Sequence, residues 1–240
     1  MKILSLECSA GPASVAVAEN NLILYESFMN IKLTHSQTLM PMVKQALQML
    51  SVDFSEIDGF AVSHGPGSFT GVRIGVSALK GLAWPLGRPC VGVSSLEAMA
   101  HNFEGVKASI CAVMDARCNQ VYNALFVCDS DKITRITEDR AIAIDDLISE
   151  LLAKEELTGF PLYAVGDGAQ LFYDKAREKL DIRLAPPHLR YQKASGVALA
   201  ALPRFLAGDT LKAKELMPLY LRPSQAEREL RLKFKGGQEK

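Results

Sequence analysis

The feature that most constrains the fold is an order of secondary-structure elements that occurs twice along the chain. Alternating apolar and polar residues predict strands, and apolar residues three and four apart predict helices. In the first half the predicted elements are strands at Lys2–Glu7, Ala13–Ala18 and Leu22–Phe28, a helix at Ser36–Leu50, a strand at Phe60–Ser63 and a helix at Val72–Trp84. A further strand is predicted at Cys90–Val93, and the Ser-x-x-Glu spacing of Ser94–Glu97 predicts the start of a third helix. In the second half they are strands at Ser109–Met114, Gln120–Val127 and Lys132–Thr137, a helix at Asp146–Lys154 with Asp145 as its N-cap, a strand at Leu162–Val165 and a helix at Ala169–Leu180.

The doubled βββαβα unit predicts an α/β protein of two similar mixed-sheet lobes that face each other across a cleft. We place the boundary near Asn102–Lys107, so that residues 1–105 form the first lobe and residues 106–223 the second, which includes a last predicted helix at Ala194–Leu206. Residues 224–240 form a charged tail that we expect to be frayed.

Composition narrows the classes of function. The chain has 27 Lys and Arg against 27 Asp and Glu, a balance that argues against holding nucleic acid by its own field and favours self-association or a protein partner. The five cysteines are odd in number and show no Cys-x-x-Cys pair, so neither a disulfide framework nor a zinc ribbon is indicated. An early carboxylate at Glu7 and the lack of an apolar run of about 20 residues indicate neither a secretory signal nor a membrane span, so we expect a cytoplasmic protein.

A glycine-rich loop joins the fourth predicted strand to the second predicted helix. Its candidate residues are Gly65, Gly67, Ser68, Thr70 and Gly71. The loop has neither the Gly-x-x-x-x-Gly-Lys-Ser/Thr pattern of a P-loop nor the Gly-x-Gly-x-x-Gly spacing of a dinucleotide site. Two interpretations stay open: an anion site at a helix N-terminus, or a tight turn required for packing.

The first two predicted helices are more apolar than a helix with one buried face requires. At about 100° per residue, the polar side chains of the second helix form one narrow stripe with Trp84, and small or apolar residues cover the rest. We therefore predict a partner interface, while the alternative is that the two helices cover each other within one lobe. The predicted interface residues are Leu39, Met40, Val43, Leu47, Gly71, Ile74, Gly75, Ala78 and Leu82.

Several motifs resemble the bacterial TsaB (YeaZ) family over nearly the whole chain. The most specific is the segment from His64 to Gly75, which continues through Gly92–Leu96. The matching motifs elsewhere are Ile3–Val17, Thr34–Ser36 with Leu39–Pro41, Met114–Arg117 and Pro218–Arg222.

The resemblance implies an actin-like (ASKHA) fold and a role in making threonylcarbamoyladenosine beside the anticodon of tRNA. It implies a scaffold subunit that pairs with its paralogue TsaD, which carries out the transfer, and that is joined by the ATPase TsaE. It also implies a homodimer when the chain is alone, formed by the same helix pair. We expect tRNA to be held mainly through the complex, no cofactor in this subunit, and the metal and ATP on the partner subunits.

The sequence departs from an active enzyme at several positions. Where actin-like enzymes need an acidic residue on the first strand, and TsaB sequences commonly read Asp-Thr-Ser, this chain has Glu7-Cys8-Ser9, so Glu7 and Ser9 are a vestigial nucleotide site. Ser95 and Met99 occupy the positions of the two imidazoles that hold the metal of the paralogous transferase, so no metal site is expected.

No catalytic residue is assigned, because the four histidines are dispersed along the chain. At the start of the second lobe, Asp115 and Arg117 are predicted to form a salt-bridged turn. The alternatives are an ATP-dependent phosphotransferase of actin-like fold and a glycoprotease-like metalloenzyme.

Overall fold

The computed structural model describes residues 1–31, 33–130, 132–154, 157 and 159–222. The first half of the chain comprises β1 (Lys2–Glu7), β2 (Ala13–Glu19), β3 (Leu22–Met29), α1 (His35–Leu50), β4 (Gly59–Gly65), α2 (Phe69–Ala83), β5 (Cys90–Ser94) and α3 (Ser95–Ala100). The second half comprises β6 (Ala108–Asp115), β7 (Gln120–Asp129), β8 (Lys132–Arg135), β9 (Arg140–Ala143), α4 (Ile144–Ala153), β10 (Leu162–Val165), α5 (Ala169–Ala176), β11 (Ile182–Leu184), α6 (Pro187–Arg190) and α7 (Ala194–Leu206).

The two sheets have the same topology, which confirms the prediction of two similar lobes. The first has the order β3-β2-β1-β4-β5 and the second the order β11-β10-β6-β7-β8, with β9 also pairing with β7. In each sheet the first pairings in the chain are antiparallel and the later ones are parallel. The predicted strand at Cys90–Val93 is present as β5, and the three-residue β11, which was not predicted, is its counterpart, so each lobe has a fifth strand.

Alternation along β1 shows how the first sheet is covered on both faces. Leu4 and Leu6 point to a core shared with α1 and α2, whereas Ile3 points to a core on the opposite face that contains residues of α7. Ser5, on the same face as Ile3, donates its hydroxyl to the carbonyl oxygen of Ala194 at 2.7 Å, which fixes the beginning of α7 on this sheet.

The helices α3 and α7 cross between the lobes, and this corrects the predicted division at residue 105. Leu96 and Met99 of α3 pack in one core with Ile110 of the second sheet. Conversely, α7 follows the second sheet in the chain but packs on the first sheet. The segment after α7 stays on the first lobe, where Leu211 forms a β-bridge with Cys90. Residues 194–222 therefore do not belong to the second lobe alone, because the apolar residues that pack against α7 come from β1, β4, β5 and α3.

Several predicted element ends also differ. The helix α2 begins at Phe69, three residues before the predicted start, because the Ser68 side chain accepts a hydrogen bond from Gly71 N–H and caps the helix. Asp145 is not an N-cap: α4 begins at Ile144, so Asp145 lies in its first turn. The helix α5 ends at Ala176. The predicted tail, residues 224–240, lies outside the described residues.

Residues 209–222, which we call the C-terminal strap, run across α2 toward the second lobe. Lys80 Nζ donates to the carbonyl oxygens of Lys214 and Leu216 at 3.2 and 3.1 Å. At the end of the strap, Arg222 Nη1 donates to the Ala116 carbonyl oxygen of the second lobe at 2.7 Å. Within the described part of the chain, no helix has the length and apolar character to cross a membrane.

Candidate functional site

The cleft between the lobes holds a cavity of about 550 Å³. Turns at the ends of strands from both lobes form its walls, as the symmetric topology requires. Its lining residues are Ser9, Ala10, Gly11, Gly67, Ser68, Phe69, Thr70, Met114, Asp115, Ala116, Arg117, Tyr122, Asp167 and Arg222. Most of the predicted glycine-rich loop and Ser9 of the vestigial site therefore do meet in one place.

The glycine-rich loop packs closely against the backbone of two other segments of the chain. Gly65 has φ +124°, and a Cβ there would lie 2.3 Å from the carbonyl oxygen of Leu219. A Cβ at Gly67 would lie 2.2 Å from the Ser9 carbonyl oxygen, which accepts a hydrogen bond from Ser68 N–H at 2.7 Å. This geometry is that of the packing-turn alternative, because backbone N–H groups of the loop are already used within the protein.

Glu7 is fully buried at the end of β1 and is not among the residues that line the cavity. Its Oε1 accepts a hydrogen bond from Ser9 N–H at 2.6 Å, while Glu7 Oε2 and Ser9 Oγ have no hydrogen-bond partner among the residues that the structure describes. Burial is the main cause that raises the pKa of Glu7 above its usual value. Burial therefore makes the charged carboxylate, which is the form that a hard cation binds, more costly at this position.

Asp167 is one of two acidic residues that the second lobe contributes to the lining of the cleft, the other being Asp115. Desolvation by the surrounding protein raises its pKa to about 6, although solvent still reaches the side chain. Gln192, which is buried, donates its Nε2 hydrogen to Asp167 Oδ1 at 3.0 Å. Across the described residues, no group of three or more His, Cys, Asp or Glu side chains is placed to hold a metal ion.

The predicted Asp115–Arg117 salt bridge is wrong. Asp115 Oδ1 instead accepts a hydrogen bond from the backbone N–H of Arg117 at 2.7 Å. Arg117, Cys118 and Asn119 all have positive φ, between 52° and 61°, so these three residues form a tight reversal of the chain. Sequence spacing alone could not distinguish this turn from an ion pair.

The positions compared with the metal ligands of the transferase paralogue are both buried. The Ser95 hydroxyl lies 2.6 Å from the Ser63 hydroxyl, and Met99 is part of the core between the lobes. Two of the dispersed histidines make local contacts: His35 Nε2 lies 2.8 Å from the Ala10 carbonyl oxygen, and His101 Nδ1 lies 3.2 Å from Glu104 Oε2.

The structure corrects part of the predicted interface on α1 and α2. Leu39 and Val43 are buried in the core of the first lobe. A Cβ at Gly71 would lie 2.2 Å from the Cys8 carbonyl oxygen, and one at Gly75 would lie 2.8 Å from Cys8 Sγ. These two glycines allow α2 to approach β1 closely, so their side of the helix is not available to a partner.

Five predicted interface residues keep exposed surface, and we call them the α1–α2 surface. They are Met40, Leu47, Ile74, Ala78 and Leu82. Met40 is 43% exposed, whereas the other four are half-buried and pack at the edge of the first-lobe core. One flank of α2 is thus covered by the first sheet, while the five residues of the α1–α2 surface leave an apolar strip partly open to solvent.

Sequence reasoning missed the contact between α2 and the C-terminal strap. The rings of Phe69 and Tyr220 are stacked with centroids 4.5 Å apart, and Arg73 Nε donates to the Tyr220 hydroxyl at 2.7 Å. The Pro218–Arg222 motif pointed to this segment, but the residues that it contacts are about 150 positions away, so pattern alone could not assign them.

The chain is similar to known proteins along nearly its full length. The family profile of TsaD, tRNA N6-adenosine threonylcarbamoyltransferase, matches residues 30–229. The tRNA threonylcarbamoyladenosine biosynthesis protein TsaB of Escherichia coli is 29% identical, with 96% of this chain and 98% of that protein covered. TsaB of Haemophilus influenzae is 31% identical, with 79% and 80% covered. The solved structure of YeaZ from Pseudomonas aeruginosa superposes with a TM-score of 0.77 at 26% identity and covers 92% of this chain and 99% of that one.

Proposed function

This chain belongs to the TsaB (YeaZ) family of tRNA threonylcarbamoyladenosine biosynthesis proteins, and we propose that it serves this synthesis as a non-catalytic subunit. The observation that carries the proposal is the burial of Glu7 at the end of β1, with one carboxyl oxygen engaged by Ser9 N–H. The acidic residue that would organise a nucleotide's metal is thereby withdrawn from the cavity. We expect the protein in the cytoplasm, where its unpaired cysteines remain reduced.

The proposed task of the subunit is to bind a TsaD paralogue through the α1–α2 surface. A surface that pairs with its own copy about a two-fold axis can also pair with a paralogue that has the same two helices, because the contacts are then equivalent on both sides. The match of the TsaD family profile to residues 30–229 supports this likeness of architecture. In our proposal the same surface forms a homodimer when the chain is alone, TsaE joins the pair, and tRNA is held mainly by the complex.

The test is affinity for the purified TsaD paralogue of the same organism. Ala78→Arg places an unpaired charge in the proposed interface, so we expect a loss of at least tenfold in affinity, which corresponds to about 1.4 kcal/mol. Ala141→Arg is the matched control, because Ala141 is an exposed alanine on β9 in the second lobe. Met40→Lys changes an exposed side chain and should weaken binding without loss of thermal stability.

Equal affinity of wild type, Ala78→Arg and Met40→Lys for TsaD would contradict the assigned surface. Loss of affinity in Ala141→Arg as well would mean that an added positive charge disturbs binding wherever it lies.

The two alternative functions have separate tests. Calorimetry of the isolated protein with MgATP should give no micromolar binding, and binding abolished by Glu7→Ala would favour an ATP-dependent phosphotransferase. Metal analysis of protein purified without chelators should find no stoichiometric metal, and one equivalent of tightly bound zinc or iron would favour a glycoprotease-like metalloenzyme.

A further inference from the structure

A second cavity, of about 540 Å³, lies away from the interlobe cleft. It is a groove between the C-terminal end of α2 and the first half of the C-terminal strap. Residues that reach it from the two sides include Trp84 and Arg88, after α2, and Lys212, Lys214 and Glu215, on the strap. None of these residues takes part in the proposed α1–α2 surface, so the groove has no role in the proposed pairing with TsaD.

Trp84 is an unusually exposed aromatic residue. It is 61% exposed although it directly follows a helix that contributes Val72, Val76 and Leu79 to the core of the first lobe. An indole that packs in a core loses most of its accessible surface, so stability of the lobe does not account for a tryptophan here. The side chain instead offers a flat apolar wall to whatever occupies the groove.

The groove is positively charged although the chain as a whole is neutral. Its lining holds three cations and one carboxylate, a surplus of two positive charges. Glu215 Oε2 accepts a hydrogen bond from the backbone N–H of Lys212 at 3.0 Å, and Arg88 Nη2 donates to the Ser55 carbonyl oxygen at 2.9 Å. Over the described ranges, Arg88, Lys212 and Lys214 form no salt bridge. The C-terminal end of α2 contributes only about half a negative charge, which the surplus outweighs.

We propose that this groove binds an unpaired stretch of RNA, with one base stacked on Trp84 and neighbouring phosphates held by Lys212 and Lys214. Aromatic stacking combined with basic side chains is the common way of binding single-stranded nucleic acid without sequence preference. A flat exposed indole matches the face of a base better than it matches an acidic peptide, whose carboxylates would use the cations and leave the ring uncovered. The inference rests on the proposed function, because RNA is the substrate of the synthesis in which this chain is proposed to take part. It adds a direct contact between this chain and the RNA.

The chain offers a specific probe, because Trp84 is its only tryptophan. Titration of the isolated protein with an octauridylate, which forms no stable secondary structure, should quench the fluorescence of Trp84 to saturation. A plot of the logarithm of the association constant against the logarithm of the salt concentration should have a negative slope of roughly 0.7 per phosphate contacted. Lys214→Gln removes one phosphate contact, so it should reduce the size of that slope by roughly 0.7. Lys179→Gln, an exposed lysine of the second lobe, is the matched control and should behave as wild type.

Stacking is tested separately from charge with fluorescently labelled RNA and anisotropy. Trp84→Ala should weaken binding roughly tenfold to a hundredfold, whereas Trp84→Phe should retain most of the affinity. No change of Trp84 fluorescence with RNA would overturn the inference, as would an equal response to poly-L-glutamate, which would identify an acidic peptide as the occupant. Because these titrations contain no transferase, they can fail while the chain still supports TsaD, and the two proposals are therefore distinguishable.

Discussion

Two glycines of α2 have opposite surroundings, and we expect their replacement by alanine to have opposite effects. A Cβ at Gly71 would lie 2.2 Å from the Cys8 carbonyl oxygen, a backbone atom directly after β1 that a rotamer change cannot move. A Cβ at Gly81 would meet nothing within 4 Å. Both residues lie within the helix Phe69–Ala83, so they share a backbone conformation and differ chiefly in what they face.

The magnitudes follow from this difference. Gly81→Ala should stabilise the protein by about 0.5–1 kcal/mol, because alanine loses less backbone entropy in a helix. Gly71→Ala gains less from the reduced loss of backbone entropy, because Gly71 lies in the first turn of the helix. Its added methyl group must also displace α2 from the first sheet, and such overpacking of a core costs about 1–3 kcal/mol. For a chain of this size each kcal/mol shifts Tm by about 2–4 °C, so the two variants should differ visibly in one melting experiment.

The assay is urea and thermal unfolding of the isolated protein, followed by circular dichroism. If Gly71→Ala were as stable as Gly81→Ala, the close packing of α2 on β1 would be refuted. The glycine flank of the helix would then be free, and the original interface prediction for Gly71 and Gly75 would regain its basis.

Further outcomes are expected at the cleft and at the C-terminal strap. The folded pKa of Glu7 is raised above the unfolded value of 4.5, so the folded state holds this proton more tightly. The contribution of Glu7 to stability is therefore greatest below about pH 4.5 and falls as pH rises toward the folded pKa. Glu7→Gln should make the free energy of unfolding, measured in urea, decline less between pH 4 and 7. An unchanged pH dependence in this variant would contradict the raised pKa of Glu7. Tyr220→Phe removes the hydroxyl that accepts from Arg73 and should cost less than about 1 kcal/mol at this exposed site. Tyr220→Ala also removes the stack on Phe69 and should cost about 0.5–1.5 kcal/mol more, so equal unfolding energies for the two Tyr220 variants would show that the stack does not form.

Local patterns were sufficient to predict most elements. The alternation of Lys2–Glu7 and the long apolar periodicity of α1 and α7 agree with the observed bounds within one residue. The four-residue β9 and the three-residue β11 are too short for alternation to distinguish them from loops. The crossing of α3 and α7 between the lobes depends on contacts between distant parts of the chain, which an order of elements does not contain.

The candidate surface on α2 shows a second limit of sequence reasoning. A helical wheel identified a flank of small residues, but small residues suit a close approach to a sheet as well as to a partner helix. The distances from Gly71 and Gly75 to Cys8 decide for the sheet. Ala78 and Leu82, toward the other end of the same helix, keep partial exposure, so the prediction failed for part of the flank and stays a proposal for the rest.

The most direct test of the central claim is transfer of the threonylcarbamoyl group to tRNA by purified TsaD, measured against increasing amounts of this chain. We expect no product from this chain alone, and with TsaD a saturable stimulation by wild type and by Ala141→Arg. Ala78→Arg should require at least tenfold more protein to reach the same plateau, because it weakens pairing and leaves the transferase site intact. Product formed by this chain alone, or stimulation by Ala78→Arg at wild-type concentrations, would contradict a non-catalytic subunit that acts through the α1–α2 surface.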